Sequence, residues 1–249
     1  MKNEIINWTR NYFAKTGINK AVIGLSGGID SSLCAAILKE ALGAENVIGV
    51  LLPKGSQHDI NCAYQIRDFL GINAYEVNIK DIVDNISNSV SLVIGDDPNN
   101  TEAFRINTPP RVRMTILYGF AALNQALVCN TCNLSEDYVG YSTKYGDSAG
   151  DFSLLANLTK TEVKALAREF MLPNELIEKT PEDGLSGKSD EDKLGFTYDT
   201  LDQYIRTGIC YDLKIKEKIE RMHKANMHKI TLMPRFWIKR GKIRWNLNQ

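Results

Sequence analysis

Ser26-Gly27-Gly28-Ile29-Asp30-Ser31 sets two hydroxyls and a carboxylate around a pair of glycines, directly after the apolar run 22–25. Glycine lets a backbone approach a ligand with no Cβ in the way. Successive N–H groups at the start of a helix then form a cradle suited to phosphate oxygens. A carboxylate beside that cradle repels phosphate unless Mg²⁺ bridges the two, so Asp30 points to a metal-bound nucleotide. The chemistry implied is that of ATP.

Other signatures fit this run less well. No Gly-Lys-Ser/Thr closes it, which excludes a Walker loop, and it lacks the dinucleotide spacing. Gly24-Leu25-Ser26-Gly27-Gly28 matches an esterase elbow, but only about 20 residues precede Val22, too few for the strands and oxyanion loop that fold needs. The bland alternative is a tight strand–helix turn in which Asp30 merely favours the helix dipole. It leaves the Ser-Gly-Gly unexplained.

The elements that must hold this loop read clearly. An amphipathic helix over 3–16 precedes a strand over 20–25, and a helix over 30–42 ends at Gly43. A nearly all-apolar strand follows at 46–52, then a helix over 58–70 and a strand over 74–79. Strands and helices alternating at this spacing predict an α/β fold, a doubly wound, mostly parallel sheet with helices on both faces. Ligands in such sheets lie beyond the carboxyl ends of the strands, where Ser26 and Pro53 sit. Helices near 80–93 and 101–106 lead to Thr108-Pro109-Pro110, where the prolines are expected to open a long helix over 110–126. That helix is apolar on most of its circumference and must be buried, in the core or against a second subunit. A fourth strand starts at 127, Thr159-Lys160-Thr161-Glu162 is a capping box, and 180–196 reads as a polar loop.

The 249 residues, 43% hydrophobic, suffice for one such domain over 1–249. Lys+Arg and Asp+Glu both number 30, which excludes a global bias towards nucleic acid or membrane. A basic segment at 214–249 contrasts with the acidic stretch 180–202. Five cysteines, no signal-like start and no apolar run of about 20 residues predict a soluble, cytoplasmic protein. Cys129 and Cys132 supply only two ligands, short of a zinc or cluster site.

After the fourth strand, residues 130–151 concentrate hydroxyls, acids, Lys144 and the tyrosines 138, 141 and 145 where the sheet's ligand should lie. Ser26-Gly-Gly-x-Asp30-Ser31 by itself resembles the whole ATP-pyrophosphatase group of adenylating enzymes. Arg111-Val-Arg113-Met, Leu117-Tyr118, Ser135-Glu136, Gly140-Tyr-x-Thr143-Lys144-Tyr-Gly-Asp147, Asp151, Leu158-Thr-Lys160-Thr, Ser189-Asp190-Glu191, Leu194-Gly195 and His228-Lys229 extend the likeness from about residue 20 to 232. Over that length the chain resembles the ammonia-dependent NAD synthetases.

The resemblance implies an adenine-nucleotide alpha-hydrolase-like fold, a homodimer, and amidation of deamido-NAD by ammonia through a nicotinate acyl-adenylate. Carried over by position, Gly24, Leu25, Ser26, Gly27, Gly28, Ile29, Asp30 and Ser31 hold ATP, with Thr131 and Lys160. Asp30 and Glu136 hold Mg²⁺. Arg111, Lys144, Asp151, His228 and Lys229 contact deamido-NAD, and the 180–195 segment orders over ATP as a lid. Lys160, in the first turn of a capped helix, is unfavourable against the dipole by about 0.3–1 kcal/mol, a sign that a nearby polyphosphate reverses. Asp147 is the candidate acceptor of the proton that ammonium loses. The chain departs from the family pattern at Asn130, where many members have Gly, at Ser148, and at Pro181-Glu182, so Glu182 is given no ATP role. Two rivals remain: a tRNA-modifying enzyme of the same group, and a non-catalytic ATP sensor, which would not need Asp147.

Overall fold

Alternation along the first strand, β1 (Lys20–Gly24), divides its side chains between two cores. Ala21 and Ile23 pack with α1 (Lys2–Thr16), α2 (Ile29–Leu42) and α3 (Ile60–Leu70), whereas Val22 faces the opposite side. There it meets Val83 of α4 (Lys80–Ile94) and Val112 and Leu117 of α5 (Glu102–Asn124). β2 (Val47–Leu51) is buried along its whole length, as a central parallel strand covered on both faces should be. This computed structural model describes residues 1–179 and 189–236.

β3 (Asn73–Glu76), β4 (Ala126–Asn130) and β5 (Phe152–Ser153) complete a parallel sheet of order β3-β2-β1-β4-β5. β1 pairs with β2 through Ala21–Val47 and with β4 through Ala21–Leu127. The chain therefore builds outward from β1 on one side and returns to its other side, which makes the β1/β4 boundary the crevice where ligands collect. A third, smaller core joins α6 (Leu134–Val139), α9 (Asp190–Leu194), α10 (Tyr198–Thr207) and α11 (Leu213–Ile230) through Val139, Leu194, Leu201 and Ile219. α7 (Lys160–Glu169) and the short α8 (Asn174–Ile177) extend the α1/α2 core through Leu166 and Ile177.

Two expectations change. The prolines do not open a helix: α5 is continuous from Glu102, with Pro109 and Pro110 inside it. Their missing N–H groups leave the carbonyls of Arg105 and Ile106 without helical donors. Both residues are exposed, where a carbonyl without a helical donor costs little. Within one chain α5 is covered on one face only: Val112, Met114, Leu117 and Ala121 are buried while Tyr118 and Leu123 are exposed, which leaves the second subunit as the cover the sequence also allows. Finally, 130–151 and 180–196 are not wholly loop. α6 and α9 lie within them, each opened by a capping box, Asn133/Glu136 and Ser189/Asp192. Of the expected lid, 180–188 lies outside the described residues, as does 237–249 of the basic segment.

No helix among the described residues is long and apolar enough to cross a membrane.

Gly140 ends α6 at φ 66°, and a Cβ there would lie 2.0 Å from Cβ of Asn226 on α11. Asn226 in turn donates to the Val139 carbonyl at 3.0 Å, closing the joint between the two helices. Gly140→Ala should lower the Tm by about 4–8 °C, from left-handed strain plus the parted helices. Hydrogen exchange should speed up first along α11.

Candidate active site

The crevice between β1 and β4 receives one loop from each strand. After β1, Gly27 adopts φ 77°, and a Cβ there would meet the Ala63 nitrogen and Cys62 Cβ at 2.7 Å, so only glycine lets the loop seat against α3. Ser26 and Ser31 tie the loop together: their hydroxyls lie 3.0 Å apart, Ser26 N donates to Ser31 Oγ at 3.3 Å and Gly28 N to Ser26 Oγ at 3.2 Å. α2 then begins at Ile29, and the N–H groups of its first turn have no helical acceptor. They lie within the run Gly24 to Ser31 that the sequence marks out for phosphate.

Lys160 sits at the centre. Its Nζ lies 2.5 Å from Asp30 Oδ2 and 3.2 Å from Glu136 Oε1, and its side chain is 3% exposed. The snorkelling surface lysine that its position also allows is thereby excluded. Burial alone would lower the ammonium's pKa, but the two carboxylates override it and hold the value well above normal. Glu136 is pushed up to about 7, chiefly by burial and then by the charge of Asp30, with Lys160 opposing. Separating such a buried pair costs about 3–5 kcal/mol, so the three groups stay together unless another charge takes their place.

The backbone around the cluster is as tightly held. Asn133 donates to Asp30 Oδ1 at 2.8 Å while its own oxygen caps Glu136 N at 3.0 Å, so one side chain joins the β1 loop to the start of α6. Ser135 Oγ accepts from Lys160 N at 3.0 Å and donates to Asp202, whose other oxygen accepts from Thr161 N at 2.8 Å. Asn130 donates to the carbonyls of Asp147 at 2.8 Å and Ala149 at 3.1 Å, and accepts from Cys132 N. The departure from glycine at Asn130 therefore serves as a tether for the loop that follows. Thr131 is the next residue and is half-buried.

A second group gathers where α11 ends. Lys144 donates to the His228 carbonyl, Lys229 donates to the carbonyls of Gly140 and Ser142 at 2.7 and 2.8 Å, and Arg111 Nε donates to the Lys144 carbonyl at 3.2 Å. The structure thus brings Arg111, Lys144, His228 and Lys229 together. Asp147 accepts from Thr143 N at 2.8 Å, with the charges of Lys229 and Arg113 nearby. The protein crowds water away from its carboxylate and raises its pKa, against those favourable charges. Asp151 stands apart: its carboxylate accepts from Val128 N at 2.7 Å and from Tyr118 at 3.3 Å, along β4. Of the three tyrosines, Tyr138 stacks on His223 at 4.1 Å, Tyr141 donates to Asp190 at 3.0 Å, and Tyr145 is exposed at φ 65°.

Asn133, Ser135, Asp202, Arg113 and Tyr198 were given no role on sequence grounds. Arg113 is drawn under the sheet end, its Nε donating to the Leu52 carbonyl at 2.9 Å. Asn133-x-x-Glu136 carries a capping signature, which was the available signal; the others pair over distances no local pattern encodes. Cys129 and Cys132 are both buried free thiols, and burial lifts the Cys132 pKa well above normal. Among the described residues, no group of three or more His, Cys, Asp or Glu side chains is placed to hold a metal.

These features accord with known proteins. The sequence model of the NAD synthase family matches residues 1–234. The NH(3)-dependent NAD(+) synthetase of Fusobacterium nucleatum is 40% identical over 208 residues, covering 81% of this chain and 76% of that protein. Among solved structures, NMN synthetase from Francisella tularensis has a TM-score of 0.86 at 30% identity, covering 94% of this chain and 97% of that one. NH3-dependent NAD synthetase from Campylobacter jejuni has a TM-score of 0.76 at 28% identity, covering 95% and 97%. A match that runs through the whole sheet and on past the last described helix leaves one assignment: this chain belongs to the NAD synthase family.

Proposed function

We propose that the chain amidates deamido-NAD to NAD with ammonia, at the expense of ATP cleaved to AMP and pyrophosphate. The observation that carries this reading is the buried Lys160 held between Asp30 and Glu136 at the mouth of the Ser26–Ser31 cradle. Lys160, the cradle and the carboxylates are the groups that a polyphosphate with its cation would need. Asp30 and Glu136 offer the oxygen donors Mg²⁺ prefers, and two carboxylates suffice because Mg²⁺ keeps waters and phosphate oxygens in its shell. When bound, Mg²⁺ supplies charge neutralisation at the phosphates.

The nicotinate carboxylate attacks the α-phosphorus, forming an acyl-adenylate and releasing pyrophosphate. Ammonia then attacks the activated carbonyl, AMP departs, and the amide remains. The protein contributes no nucleophile. The cradle's N–H groups orient the phosphates, and Lys160 balances the charge that gathers on the leaving pyrophosphate. Arg111, Lys144, His228 and Lys229 present a basic edge for deamido-NAD, with Asp151 at the rim of β4. Asp147 accepts the proton that ammonium must lose before its nitrogen lone pair can attack.

The likeness to the Francisella protein favours a second acceptor, nicotinate mononucleotide, which carries the same carboxylate without the AMP half. We also assign a homodimer, supported by Leu92, Val93, Tyr118 and Leu123, exposed on α4 and α5. The five free cysteines support a reducing, cytoplasmic setting.

Purified protein with ATP, Mg²⁺, ammonium and deamido-NAD should yield NAD, AMP and pyrophosphate in equal amounts. Formation of ADP, or AMP release without an acceptor, would overturn the reading. Substituting nicotinate mononucleotide in the same assay and comparing kcat/KM ranks the two acceptors. Asp147→Asn should cut turnover with ammonium by about 10²–10⁴-fold. The raised pKa means Asp147 takes up a proton at a higher pH than a free aspartate, so the acid-side fall in kcat/KM should begin at a higher pH than a free aspartate would give. That limb should vanish in Asp147→Asn. In sedimentation, Leu123→Glu should shift a species of twice the chain mass towards the single chain.

A further inference from the structure

Tyr198 opens α10 and is 5% exposed, yet among the described residues its hydroxyl has no hydrogen-bond partner. A buried hydroxyl in that condition is costly, and native proteins rarely tolerate one without a reason. Its surroundings supply the reason. Lys160 Nζ lies 5.3 Å from the centre of the Tyr198 ring, so the ring face already attracts the ammonium. The carboxylates of Glu136, Asp190 and Asp30 and the hydroxyl of Tyr141 are its polar neighbours. Tyr141 donates to Asp190, and Lys160 holds both Glu136 and Asp30. The phenol is thus a donor among carboxylates that Lys160 and Tyr141 hold turned to themselves, out of reach of its own hydroxyl.

Resting on the ATP reading above, we propose that Tyr198 is a positioning residue whose hydroxyl finds its partner only when magnesium-ATP draws Lys160 off the carboxylates. Lys160 Nζ then turns to the phosphates while remaining beside the ring. Glu136, relieved of the ammonium, accepts from the Tyr198 hydroxyl and is held in place to face the cation. The substrate-free protein carries the unpaired hydroxyl, and binding releases that cost. Tyr198 tunes affinity through Lys160 and Glu136 without touching the reacting atoms.

Tyr198→Phe deletes the hydroxyl and keeps the ring, so the fold should survive. Three quantities separate the proposal from a merely structural role: the Tm of the ligand-free protein, the Tm gain with saturating magnesium-ATP in the absence of acceptor, and the split between KM and kcat. The ligand-free Tm should rise by about 2–4 °C, because an unpaired buried polar group is removed. Apparent affinity for magnesium-ATP should weaken about tenfold, seen as a smaller Tm gain and a higher KM for ATP, with kcat little changed. A lower ligand-free Tm with an unchanged gain would make the hydroxyl structural and overturn the proposal. A wild-type protein that magnesium-ATP fails to stabilise overturns the ATP reading itself, and this inference falls with it.

Discussion

One ammonium, removed from water and held between two carboxylates from separate strand ends, sets the terms for the rest of this molecule. A lysine at 3% exposure is tolerable only while both acids stay within reach. Asp30 follows β1 and Glu136 follows β4, so those strands must be neighbours. The sheet order provides this by returning the chain to the open side of β1. Lys160 itself comes from a third element, α7, whose capping box fixes where its first turn begins. Three helix starts thereby converge on one point: those of α6 and α7 are capped by side chains, and that of α2 offers N–H groups with no helical partner. Such a point favours anions, and the two acids with one base leave it ready for a polyphosphate accompanied by its cation.

Much of this was legible in the sequence because it is local. The glycine turn, the buried strands, Gly43 and Gly71 as helix ends and the Thr159–Glu162 box are patterns within a few residues. Lys160 at a dipole-unfavourable position was informative for the same reason, since it asks for a compensating negative charge. The pairings that make the site work are of another kind. Asn133 reaches Asp30 across 103 positions, and Ser135 reaches Asp202 across 67. No periodicity encodes such contacts. The resemblance to a family named candidate anion-contacting residues, but not those that hold them in place.

The errors have physical causes as well. Pro109 and Pro110 signal a helix start only where their neighbours need helical donors, and exposure of Arg105 and Ile106 lifts that requirement. The all-round apolar character of α5 is not such an error: one chain covers one face of it, and the sequence also allows a second subunit for the rest. Short helices such as α6 and α9 fall below the length at which apolar spacing speaks, and only their caps announce them.

Asp202 links this centre to the periphery. It sits on α10, takes the amide of Thr161 and the hydroxyl of Ser135, and so fastens the openings of α7 and α6 to a helix that supplies none of the predicted substrate-contacting residues. The other side of α10 is washed by solvent through Gln203 and Thr207. Surface drift on that side is free, but any change that tilts the helix axis is transmitted inward as a displaced cation. The catalytic tolerance of this enzyme is thus machined on its outside, by a strut whose alignment the chemistry inherits.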